Sequence, residues 1–183
     1  MRIPRAWILG AISVALLPVS VTGGERWASW EAAIASHELN RLDGETAQIA
    51  DMQGDVVLLN FWASWCKPCK KERLVLDELA ESLEGSRARI LAVSIDQEEK
   101  NASRYVEKSG LDLEFFHDGT DGLASALDLP SLPFTVLLGP DGRIVEVAQD
   151  GSLKTLRRLE RKVRELAPAD DQASRNATPE AQG

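Results

Sequence analysis

Five residues, Trp65-Cys66-Lys67-Pro68-Cys69, hold both cysteines of the 183-residue chain and divide two stretches of opposite character. Before them, Asp55-Val56-Val57-Leu58-Leu59-Asn60-Phe61 predicts a buried strand. After them, Lys70 to about Leu83 predicts a helix. A Cys-x-x-Cys at a strand-to-helix junction is the layout of a thiol–disulfide exchange site. The first cysteine falls at a helix N-terminus, where free N–H groups and the helix dipole favour a thiolate. The second lies close enough to resolve a mixed disulfide. Zinc is the weaker reading, because a structural site takes about four ligands. The chain has 2 Cys and 2 His, and His37 and His117 lack paired spacing. An inert disulfide fits the same five residues, but so short a loop would constrain little unfolded-state entropy.

The rest of the chain alternates strands and helices. Trp27, Trp30, Ala33 and Ile34 recur at helical spacing, which predicts a short helix over Glu25 to about His37 packed on the domain. Leu39 to Ile49 predicts two short strands around the Asp43-Gly44 turn. Cys66 to Leu83 predicts a helix with Val75, Leu76, Leu79 and Leu83 on its core side and Gly85 as its stop. Arg89 to Ile95 is a second buried strand, and Asp96 and Gln97 lead into a helix ending near Gly110. A short strand (Leu113–Phe116) and a short helix (Gly122–Leu127) follow. Phe134–Leu138, the turn Gly139-Pro140-Asp141-Gly142 and Arg143–Val147 predict an antiparallel pair. Ser152 is placed as N-cap of a closing helix to Leu166. Together these elements predict an α/β domain, a mixed sheet with helices on both faces.

The two ends read differently. Arg2 and Arg5 precede an uncharged apolar run from Ala6 to Val21, so residues 1–24 read as a signal peptide or an uncleaved N-terminal membrane anchor. Residues 25–38 form a helical lead-in, 39–167 the domain, and 168–183 a polar tail expected to be disordered. The net charge is −8, with no basic patch of the kind nucleic acid requires. Lys154, Arg157, Arg158, Arg161, Lys162 and Arg164 share the last helix with Glu160 and Glu165, which reads as a solvated face.

Three stretches resemble a known family. They are Leu59-Asn60-Phe61-Trp62-Ala63-Ser64-Trp65-Cys66-Lys67-Pro68-Cys69-Lys70-Lys71-Glu72, Leu132-Pro133-Phe134-Thr135 and Leu138-Gly139-Pro140-Asp141-Gly142-Arg143-Ile144. In this order they resemble the exported TlpA/ResA-type thiol–disulfide oxidoreductases of the thioredoxin fold, over about Leu39 to Leu166. The resemblance implies a thioredoxin fold carrying an N-terminal β-hairpin extension. It implies catalytic roles for four positions: Cys66 as nucleophile, Cys69 as resolving thiol, Pro133 as a cis proline beside the pair, and Glu72 as a functional carboxylate. Thioredoxin carries an aspartate in the strand before the motif, whereas this chain has Asn60, which does not titrate. Glu72 lies three residues after Cys69 and so shares its helix face, although beside Lys70 and Lys71 it also reads as an ordinary exposed glutamate. Pro68 pre-sets helical φ where an N–H is dispensable.

Substrate contact is expected at Trp65, Lys67 and Leu132, the last through backbone pairing with an extended segment. Lys67 would also favour a thiolate by its charge. The resemblance further implies no cofactor beyond the redox-active Cys66–Cys69 disulfide, no metal, and an extracytoplasmic location. Expected partners are thiol or disulfide proteins of that compartment and a membrane electron donor. The reading is a reductant of exported proteins, of the cytochrome c or copper-site maturation type. A disulfide-forming oxidant and a copper(I)-holding dithiol are the alternatives. A peroxiredoxin-like peroxidase is disfavoured by the Cys-x-x-Cys context. The acidic insertion common in cytochrome-maturation members has no clear equivalent between Ile95 and Leu129.

Overall fold

All seven positions of β3 (Val56–Trp62) are buried, because neighbouring strands flank it and helices cover both of its faces. In the computed structural model, which describes residues 23–168, β3 pairs in parallel with β4 (Ala88–Ser94) and antiparallel with β6 (Phe134–Leu138). A run that is apolar except at Asn60 suits this central place, since neither face meets water. Residues 1–22 and 169–183, with nearly all of the expected leader and tail, lie outside the described residues.

The chain opens with α1 (Gly23–Ser36), then β1 (Glu38–Arg41) and β2 (Thr46–Gln48). The hairpin turns at Asp43-Gly44, where Gly44 takes φ 96° and the backbone closes by Gly44 N–H donating to Arg41 O. β1 pairs antiparallel with β5 (Glu114–His117), which places the hairpin at one sheet edge as the expected extension. β7 (Ile144–Ala148) closes the other edge, giving the order β2-β1-β5-β4-β3-β6-β7.

Two apolar layers sandwich the sheet. On one face α2 (Lys67–Ser82), α3 (Glu99–Ser109) and α5 (Leu153–Leu166) pack Leu76, Leu79, Ala102, Leu156 and Leu159 onto Leu58, Trp62 and Phe115. On the other, α1 and α4 (Leu123–Ala126) pack Trp30, Ile34 and Leu123 onto Val57, Leu59, Phe61 and Phe134. Trp27 stands edge-on to Trp30 and Trp30 to Phe134, so the tryptophan stripe is part of the domain.

Asp96 and Gln97 lead into α3, which starts at Glu99, and the Asp96 side chain turns inward and is buried. Val75 is half-buried and packs against the core from the expected side, and Arg73 shares the buried stripe with Leu76. The basic face of α5 is partly neutralised: Arg158 and Lys162 both pair with Glu146, and Arg164 pairs with Glu160.

Candidate active site at the head of the second helix

Cys66 is the N-cap of α2. It is extended (φ −77°, ψ 101°), and its Sγ accepts from the Cys69 N–H at 3.3 Å. A sulfur in this place meets the unpaired N–H groups and the positive end of the helix dipole. Pro68 sits in the first turn, where its missing N–H leaves no gap. Cys66 and Cys69 are joined as a disulfide with Cα atoms 5.4 Å apart. Cys66 retains 5 % exposure and Cys69 none. An incoming sulfur therefore meets Cys66 first.

The loop before the pair is pinned from β4. The buried Asp96 carboxylate accepts from Ser64 N–H (2.9 Å), Ser64 Oγ (2.8 Å) and Ser94 Oγ (2.8 Å). His117 Nε2 meets the Asp96 carbonyl at 2.7 Å, which ties β5 to the same corner. Nothing in the linear spacing pairs Ser64 with Asp96, so reasoning from the sequence missed this brace. The one signal was an acidic residue directly after an apolar strand.

Below the pair lies a second polar group. Leu132-Pro133 is a cis bond, and Pro133 is buried where the chain enters β6. Two residues on, Thr135 Oγ1 accepts from Asn60 Nδ2 (3.0 Å) and donates to Glu72 Oε1 (3.3 Å). Glu72 is only 1 % exposed, and its Oε2 has no partner among the described residues. Burial pushes its carboxyl above the ordinary glutamate range. Asn60, Thr135 and the Arg73 charge pull the other way without overcoming it, and Asp150 adds to the rise. Gly151 closes the group from α5's approach. A Cβ there would sit 3.2 Å from both Glu72 Cβ and Pro133 Cγ, so any larger residue would press on both neighbours.

The remaining site residues face outward. Trp65 is 66 % exposed, the largest exposed side chain near the pair. Lys67 is exposed and Leu132 half-buried. Trp65, Ile95, Leu129, Pro130 and Leu132 line one cleft, so the structure brings Trp65 and Leu132 together and leaves Lys67 out of that lining. His37 bonds Asp118 at 2.6 Å. Among the described residues, no three His, Cys, Asp or Glu side chains are grouped to hold a metal ion. The arrangement can carry out sulfur-to-sulfur exchange at Cys66, with a second sulfur and a protonatable carboxyl behind it.

Residues 31–147 match the AhpC/TSA family. Among curated proteins, the thiol-disulfide oxidoreductase ResA of Oceanobacillus iheyensis is 34 % identical over 127 residues, 69 % of this chain and 65 % of that protein. The chain spans just under two thirds of the length of the curated relatives it matches first. Among solved structures, a putative thiol:disulfide interchange protein DsbE from Chlorobium tepidum superposes with a TM-score of 0.67 at 20 % identity, covering 72 % of this chain and 94 % of that one. The thioredoxin domain of a thiol-disulfide oxidoreductase from Bacteroides vulgatus gives 0.62 at 22 % identity, covering 72 % and 98 %. The expected thioredoxin fold is the fold present.

Proposed function

Since this chain belongs to the AhpC/TSA family, we propose that it is a thiol–disulfide oxidoreductase of the ResA/DsbE type, working through Cys66 and Cys69. The observation that carries this reading is the pairing of depth and position. Cys66 caps a helix at the rim, while Cys69 is sealed beneath it.

In the reducing direction, the Cys66 thiolate attacks a substrate disulfide. One S–S bond forms, one breaks, and the released substrate sulfur takes a proton. Cys69 then attacks Cys66, which re-forms the Cys66–Cys69 bond and frees the second substrate thiol. Two electrons pass from the pair to the substrate, and two protons end on its thiols. Cys69 must lose its proton in a dry place. Glu72, one turn away on the same face and held above the ordinary carboxyl range, is the group suited to accept it. Pro133 backs the pair, and the cleft formed by Trp65 and Leu132 receives the substrate segment.

The substrates are disulfide proteins outside the cytoplasm, of the cytochrome c or copper-site maturation type, and a membrane reductase recharges the pair. The leader-like residues 1–24 and the likeness to ResA support that placement. Two measurements test the reading. A model disulfide should trap as a stable adduct on Cys69→Ser and not on Cys66→Ser, and the reverse result overturns the assignment. The potential of the pair should fall toward the reducing end, about −270 mV, of the range this fold spans; a value near −120 mV makes the protein an oxidant.

A further inference from the structure

Arg73 is the one buried cation among the described residues, with no measurable exposure. Its Nε, Nη1 and Nη2 have no hydrogen-bond partner among those residues. Instead its Cζ lies 3.8 Å from the centre of the Trp62 ring and 4.4 Å from that of Tyr105. The two ring centres are 5.2 Å apart with planes inclined by 54°. The guanidinium thus fills the angle between two aromatic faces.

A guanidinium remains protonated in proteins, so a full positive charge is held in the core. Ring faces return part of the desolvation cost, but a neutral side chain of similar length would fill this angle without incurring it. The charge also stands on the helix that carries Cys69. Arg73 lies four residues beyond Cys69, about 6 Å along the helix axis, on the same stripe. Helical side chains lean toward the N-terminus, which is toward Cys69. Trp62, on which the guanidinium rests, packs in one cluster with Cys66, Cys69 and Leu76.

We propose that Arg73, caged between Trp62 and Tyr105, is the fixed counter-charge of the reduced cysteine pair and sets its potential. The proposal rests on the thiol–disulfide reading above and deepens it. Reduction by two glutathione thiols yields the Cys66–Cys69 dithiol and one glutathione disulfide. Two electrons enter the pair, and of the two protons delivered one leaves again when Cys66 ionises. The new negative charge arises in the buried cluster that holds Trp62, the ring on which Arg73 rests, where a cation acts over longer range than in water. The other charges near Arg73 are Glu72 and the exposed Lys70 on α2, and Asp96 after β4. Tyr105 on α3 is the neighbouring phenol. Lys70 reaches over the Tyr105 ring from outside. Burial works against the Arg73 charge and pulls it below the ordinary arginine range, while Tyr105, Glu72 and Asp96 favour it without reversing that direction. Stabilising the thiolate stabilises the reduced form, so Arg73 makes the pair more oxidising than it would otherwise be.

The experiment is redox equilibration of the full chain with glutathione, for the parent, R73M and R73K. R73M should favour the protein disulfide about tenfold more than the parent does, a shift of about 30 mV, and its Cys66 should alkylate more slowly at neutral pH. R73K keeps the charge and should stay within about threefold of the parent. If both variants overlay the parent, or both shift equally, Arg73 is a packing residue and the proposal fails. If R73M does not unfold cooperatively, the Arg73 Nε–H resonance of the reduced parent decides. It should move with the same midpoint as the pH profile of Cys66 alkylation, and a resonance that stays still overturns the proposal. A parent protein that never equilibrates with glutathione overturns the thiol–disulfide reading itself. One that equilibrates but matches R73M overturns only the role of Arg73.

Discussion

Glu72→Gln in the oxidised protein isolates a quantity that the structure fixes in sign. Disulfide-bonded cysteines do not titrate, so the proton on Glu72 can be followed alone. Its carboxyl is raised in the fold chiefly by burial, while in the unfolded chain it titrates near about 4.3. Between those two values the folded state holds a proton that the unfolded state has lost. Stability therefore falls as pH rises through that window, by up to about 1.4 kcal/mol per pH unit for one group. It is fully present below about pH 4.3 and levels off once the folded Glu72 has ionised. Glutamine copies the protonated carboxyl in shape and has nothing to titrate. The stability of the parent minus that of Glu72→Gln should therefore slope downward with pH, while contributions from the other carboxylates cancel. Urea unfolding of both oxidised proteins, in half-unit steps from pH 4 to 8, gives this difference directly. A flat difference would show that Glu72 is not perturbed. An upward slope would show that Arg73, Asn60 and Thr135 outweigh burial and hold the carboxylate ionised, which would remove it as a proton acceptor for Cys69.

Three further outcomes are expected. In the reduced protein, Glu72→Gln removes a nearby negative charge, so Cys66 should alkylate with a lower apparent pKa and the pair should become a stronger oxidant. Gly151→Ala places a Cβ against Glu72 and Pro133 at 3.2 Å, which should cost about 1–3 kcal/mol and slow exchange with a model disulfide. Urea midpoints and exchange rates would read both, and an unchanged protein would show that the two neighbours give way freely. Asp96→Asn weakens a carboxylate that accepts three hydrogen bonds and should cost about 3 kcal/mol. Amide exchange at Ser64 should rise with it, and protection equal to the parent's would remove Asp96 as the brace of the loop.

What was legible in the sequence follows from which forces act locally. β3 is readable because a strand covered on both faces needs an apolar run without polar alternation, and Val56–Phe61, with Asn60 its one polar residue, supplies one. The α2 boundary is readable because Cys66, Pro68 and the helical stripe all specify the same N-terminus. The hairpins announce themselves through Asp43-Gly44 and Asp141-Gly142, whose glycines both take positive φ. The contacts that shape the site have no such local signature. Thr135 reads as one more β-branched strand residue until pairing places it opposite Asn60. Asp96 reads as a helix lead-in and gives no sign that its side chain turns toward Ser64. Gly151 carries no sign that α5 begins against Pro133.

Helix α2 shows how near the remaining information was. Cys69, Glu72, Arg73, Leu76 and Leu79 form its buried stripe. Read by period alone, this stripe places two charged residues of opposite sign inside the core, next to each other and one turn below the cysteines. Charged residues at core positions carry a large desolvation cost, so their presence on the stripe is itself a signal of chemistry. The structure resolves the pair into different solutions. Glu72 is held by a hydroxyl, has its carboxyl raised by burial, and can exist neutral. Arg73 cannot shed its charge and is held by aromatic faces instead. A proton carrier and a fixed charge beneath one sulfur pair are the two independent controls that thiol exchange offers. In the roles proposed above, one governs how Cys69 loses its proton and the other how readily the pair holds its electrons.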